Sequence, residues 1–143
     1  MRPTDMKRDL LSLLLLLCVF PSGCVRTLKS IKDLAAPPVA LTPSTFTIGA
    51  ESKQFQFRSS GQHVFGHFRA DGVSKNNIRV FIFDEDGFTN WRDGRTVRMS
   101  YDSGKVTAGK IDVRLKPGTY YLVFDNSFSG PSNKAITSDI QIQ

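Results

Sequence analysis

The sequence predicts an all-β fold, an antiparallel two-sheet β-sandwich of about seven or eight strands, placed after an N-terminal signal helix and a linker. Three observations carry that prediction. From Thr45 onward, short segments alternate apolar and polar residues and are divided by turn residues. Of the eleven phenylalanines, ten lie at Phe46 or beyond and supply bulk for a layer between two sheets. No convincing helical period occurs after Thr45.

The first part of the chain reads differently. Met1 to Asp9 holds Arg2, Lys7 and Arg8, and Leu10 to Phe20 is apolar except for Ser12. A spanning helix needs roughly 20 apolar residues, so this stretch is too short to be one. A charged start, a short apolar run and small residues at Ser22 and Gly23 match a secretory signal instead. Cys18 would leave with the signal, so Cys24 is the thiol that remains. Ser22-Gly23-Cys24 resembles the lipidation site of a bacterial lipoprotein, although Pro21 stands where an aliphatic residue is usual. Lipidation at Cys24 would anchor the chain to a membrane, each buried methylene contributing about 0.8 kcal/mol. Ordinary cleavage nearby, giving a periplasmic or secreted soluble protein, is the alternative.

Val25 to Ser44 contains Pro37, Pro38 and Pro43 and shows no sustained period. Pro37 would stop any helical turn begun at Arg26. The expected organisation is therefore a signal peptide over 1–23, a proline-containing tether over 24–44 and a sandwich over 45–143. The full chain carries +6, and losing residues 1–23 leaves +5. Those charges are scattered and form no basic run, so a nucleic-acid partner is not expected.

Each strand has its own reason. Phe46 and Ile48 share a face, as do Phe55 and Phe57 opposite Gln54, Gln56 and Arg58. His63 to Ala70 continues as a strand with Val64, Gly66 and Phe68 on one face. Ile78 to Phe83 is nearly all apolar, as a central strand covered on both faces would be. Lys110 to Leu115 puts Ile111, Val113 and Leu115 inward, and Lys116-Pro117-Gly118 turns the chain into Thr119 to Phe124. Ala135 to Gln143 aligns Ile136, Ser138, Ile140 and Ile142, and Thr96 to Tyr101 is a candidate eighth strand.

Asn77 to Phe88, Asn90-Trp91, Tyr101 to Val106 and above all Leu115 to Ser129, with its PGTYYLVFDNSFS stretch, resemble the exported β-sandwich domains of the emp24/GOLD-like kind. The resemblance covers most of Val64 to the C-terminus. It implies a non-enzymatic sandwich; the transmembrane and coiled-coil regions of the eukaryotic members are absent here, so their trafficking role does not carry over.

Candidate chemistry is sparse. Asp84 and Asp86, in Asp84-Glu85-Asp86-Gly87, are candidate calcium ligands, set against the commoner use of such a run as an acidic turn. His63 and His67 would share a strand face about 13 Å apart, too far for one zinc ion. No strained nucleophile elbow or phosphate-binding glycine loop occurs, so neither an enzyme nor a cofactor is expected. Trp91 and Phe88 offer either a buried anchor for the Asp84 to Thr96 loop or an exposed aromatic platform, with Arg92 and Arg95 as its polar rim. The expected protein is thus a small lipid-tethered, non-enzymatic module of the cell envelope. Through that loop it would bind an envelope protein or glycan, the alternative being a secreted carbohydrate- or calcium-binding accessory module.

Overall fold

A computed structural model describes residues 36–72, 77–130 and 132–143. The chain runs through β1 (Val39–Ala40), β2 (Thr45–Ile48), β3 (Ser52–Ser60), β4 (His63–Gly72) and β5 (Ile78–Asp84). It continues through α1 (Glu85–Arg92), β6 (Tyr101–Val106), β7 (Ala108–Arg114), β8 (Pro117–Asp125) and β9 (Lys134–Ile142). The expected signal peptide, Cys24 and the expected tether up to residue 35 lie outside the described residues.

The strands form two antiparallel sheets, as the alternation predicts. In the first, the order is β1-β9-β4-β7, with β2 also on β9. In the second it is β3-β8-β5-β6. The two short strands share one edge: Val39 pairs with Ile142 and Thr45 with Thr137. Between them, Leu41 N–H donates to the Ile140 carbonyl and Ser138 N–H to the Ser44 carbonyl. Sheet pairing therefore begins at Val39, inside the segment expected to be tether. Tyr101 opens β6 rather than closing a strand.

Inward side chains of both sheets meet in one core. Val64, Phe68, Ile111, Ile136 and Ile140 of the first sheet face Val80, Ile82, Leu122 and Phe124 of the second. Phe124 is the hub of the aromatic packing, with Phe46, Phe55 and Phe68 edge-on to it at 5.1, 6.1 and 6.0 Å. Such edge-to-face pairs contribute beyond the area they bury.

The second sheet has another dry face. Phe81, Phe83 and Val123 point away from the first core and are capped by Phe88 of α1, with Trp91, Val97, Met99 and Tyr121 packed around them. This explains why β5 is apolar on both faces: from Val80 to Phe83 every residue is buried. The two faces of β5 are offset by a bulge between Arg79 and Phe81, where the Ser103 hydroxyl accepts the Val80 N–H at 2.8 Å.

The helix itself departs from the expectation of a loop. Asp84 is its N-cap and Oδ1 accepts the Gly87 N–H at 2.7 Å. Glu85 and Asp86 occupy its first turn and Arg92 its last, as the helix dipole favours. At the far end Gly94 takes φ 71°, its N–H donating to the Trp91 carbonyl while Arg95 N–H donates to the Asn90 carbonyl. That is a Schellman stop, which needs a residue at ease with positive φ. Eight residues with Gly87 and Asn90 among them show little period, and tertiary packing supplies what propensity lacks.

Phe124→Ala removes the hub of the aromatic cluster and is expected to cost about 3–5 kcal/mol in urea denaturation. A loss below about 1 kcal/mol would mean that the neighbouring rings collapse into the space.

Candidate functional site

The expected site residues divide once they are placed. Phe88 is buried, its ring stacked on Tyr121 at 4.1 Å and 10°. Trp91 is half-buried, stacked on Phe83 at 5.4 Å and lying 5.9 Å from Phe81. Both rings hold α1 to the second sheet, so the reading of an exposed aromatic platform is corrected: these residues are committed to packing. Arg92 and Arg95 are exposed, and Asp93 lies 3.9 and 3.6 Å from them. Asp84 and Asp86 are brought together only as cap and first turn of the helix. Among the described residues no group of three or more His, Cys, Asp or Glu side chains converges as a metal site would require.

Elsewhere the ionised groups serve the fold. Arg79 forks onto Asp102 with contacts of 2.9 and 2.7 Å across β5 and β6, and its guanidinium sits 4.6 Å from the Phe81 ring. The bonds from Arg79 hold the Asp102 carboxyl below the usual carboxylate range, against a smaller opposing effect of burial. Lys134, 1% exposed at the start of β9, donates to the Asn77 carbonyl and to Ser129 Oγ at 2.8 Å. Burial pushes its ammonium pKa down. It ties the mouth of β5 to the turn before β9.

On the opposite side of the molecule, the outer face of the first sheet is concave. There β4, paired on both sides, presents His63, Phe65, His67 and Arg69 in alternation. Register sets the neighbours in rows. Phe65 stands between Asp112 of β7 and Gln141 of β9, His67 between Lys110 and Asp139, and Arg69 between Ala108 and Thr137. Two shallow depressions of about 430 and 480 Å³ adjoin here, sharing His67 and Asp139.

Gly66 lies at the floor of the first depression with φ 142°. An added Cβ would fall 1.9 Å from the Asp139 carbonyl oxygen, so this position admits only glycine without a backbone shift. The cations of the face are paired, while Asp139 has an amide for its partner. Asp112 meets Lys110 at 3.0 Å and His63 Nε2 at 2.7 Å, and these two partners hold its carboxyl below the ordinary range. Gln141 donates to Asp139 at 2.7 Å, and the His63 ring lies 5.2 Å from that of Phe65.

No family model matches the chain, and no curated protein matches it. Among solved structures it is similar to the pre-peptidase C-terminal domain of a collagenase from Bacillus anthracis, at 9% identity over 66% of this chain and 87% of that one, with a TM-score of 0.44. It is also similar to PliG of Aeromonas hydrophila, a periplasmic inhibitor of g-type lysozyme, at 9% identity over 69% of this chain and 82% of that one, with a TM-score of 0.45. No residue role is carried over from either.

Reading residues singly assigns His63 and His67 to a solvent-facing strand. It misses the face they build with Lys110, Asp112, Asp139 and Gln141, because the strands that flank β4 are remote in sequence. Only the shared alternation of the three segments hints at it.

Asp84→Ala removes the helix cap and is expected to lower stability by about 1 kcal/mol, whereas Asp86→Ala changes it by less than about 0.5 kcal/mol. Equal effects in paired denaturation curves would refute the cap assignment. Asp102, whose folded pKa lies below its unfolded one, contributes stability above the unfolded pKa that is lost as pH falls through the lowered value. Asp102→Asn is therefore expected to lose up to about 1 kcal/mol at neutral pH, the pair being one-third exposed, and almost nothing at pH ~2. A pH-independent loss would assign the effect to packing.

Proposed function

We propose that this chain is an exported, non-enzymatic binding module of the cell envelope, tethered by lipid at Cys24. Its outer face of the first sheet would engage another envelope component. The observation that carries the reading is an asymmetry: α1 roofs the outer face of the second sheet, whereas the first sheet's outer face carries an open groove of aromatic, imidazole, amide and carboxylate side chains. Its lining, one apolar ring among many hydrogen-bonding groups, suits a polar ligand rather than an apolar one. The anchoring half rests on the Leu10 to Phe20 run and Ser22-Gly23-Cys24. The same proposal places the domain with the emp24/GOLD-like sandwiches, on the strength of the Leu115 to Ser129 stretch.

Relative to the sequence expectation, the binding surface moves from the Asp84 to Thr96 segment to β4, β7 and β9. Arg92 and Arg95 stay outside it. The test has two arms. In the first, the mature wild-type N-terminus is expected to be a lipid-modified Cys24 by mass, and Cys24→Ser to leave the membrane fraction. A mature chain starting elsewhere refutes the anchor. In the second, full-length chains are compared for retention on isolated envelope material. Phe65→Ala combined with His67→Ala is expected to reduce retention by about tenfold or more, and Arg92→Ala with Arg95→Ala to leave it unchanged. The reverse pattern would return the site to the helix.

A further inference from the structure

Resting on the reading of the first sheet's outer face as the binding surface, the geometry points to its ligand class: an extended, uncharged oligosaccharide. The two adjoining depressions run along β4 from His63 to Arg69. At about 3.3 Å per strand residue that is a trough of roughly 20 Å, long enough for several linked sugar rings.

Charge argues for a neutral ligand. Asp112 already holds Lys110 and His63, Arg69 holds Asp71 at 3.1 Å, and Asp139 accepts from Gln141. An anionic ligand would have to break the Lys110 and Arg69 pairs and would meet the Asp139 carboxylate, which Gln141 hydrogen-bonds without neutralising, so it would gain little. Hydroxyls, by contrast, can add to such groups without displacing them. A carboxylate has about four acceptor sites, an amide both donates and accepts, and a neutral imidazole does the same. Asp139, Gln141, Gln143 and His67 therefore present mixed donors and acceptors along one wall of the trough. Phe65, half-buried between Asp112 and Gln141, offers an apolar strip against which the C–H face of a sugar ring can lie.

The same features disfavour an extended peptide. β4 is hydrogen-bonded to β7 on one side and β9 on the other, so its backbone has no ladder to lend a new strand. Peptides held by side chains alone need apolar anchor pockets, and the one large hydrophobic that is strongly exposed among the described residues is Val39, on β1 at the sheet edge.

The experiment titrates the isotope-labelled full-length chain with chitin hexasaccharide, cellohexaose and the anionic polymer polygalacturonate, reading amide shifts and heats. A neutral sugar is expected to bind with a Kd of about 0.1–1 mM and to shift resonances of β4, β7 and β9. Phe65→Ala and Gln141→Ala are each expected to weaken it about tenfold with unchanged thermal midpoints. The inference is overturned if neither neutral sugar binds at about 10 mM, if polygalacturonate binds more tightly than both, or if the shifts fall on α1. Should the sugars fail while Phe65→Ala with His67→Ala still loses envelope retention, the ligand class alone is wrong. Should retention also persist, the binding face is wrong.

Discussion

Burial of β8 on both faces is the constraint from which the rest of the domain follows. Its backbone is paired with β3 along one side and β5 along the other. Tyr120, Leu122 and Phe124 face the first sheet while Tyr121 and Val123 face the helix. A strand in this position can expose no polar side chain without leaving it unpaired in a dry layer. So the second sheet needs two covers, and α1 is the second. The helix covers β5 and β8 and leaves the outward side chains of β3, Gln54, Gln56 and Arg58, exposed, while among the described residues the first sheet's outer face carries no helix. The different covering of the two sheets is thus set by the apolar run of one strand.

Edge protection follows a related logic. β3 is one of the two edge strands of its sheet, and Lys53 lies on the same side of the strand as Phe55 and Phe57. Its ammonium reaches the Phe46 ring at 5.0 Å, close to the core boundary. A second chain pairing on this edge would have to cover that charge, which is a recognised device against edge-to-edge association.

Much of this was legible in the residues. Alternation located the long strands, and the unbroken apolar run of Ile78 to Phe83 and the double-faced Tyr120 to Phe124 marked two central strands. Three things were less visible. Val39–Ala40 is too short to show a period, and its pairing depends on β9 at the other end of the chain. α1 has weak propensity, yet its punctuation was present in Asp84, the acidic first turn, Arg92 and Asp93-Gly94; an acidic turn fits the same letters, and only packing on Phe81 and Phe83 decides between them. The trough on the first sheet is a property of register. His67 meets Lys110 and Asp139 because three separate strands align, which no local window reveals.

The strand order has a kinetic side. Successive strands mostly alternate between sheets, and among the described residues β5 with β6 is the single pair of consecutive strands that hydrogen-bond to each other. β1 and β2, at the start of the domain, find their partner only in β9 at its end. Closing such long loops before contacts form makes folding slow, in the millisecond-to-second range for sandwiches of this kind. More specifically, a chain delivered N-terminus first cannot complete its first sheet until Lys134–Ile142 has arrived. Until then β1 and β2 have no template, whereas β3, β4 and β5 find partners in β8, β7 and β6 before β9 arrives, so closing the edge of the first sheet is the last pairing that such an order of delivery allows.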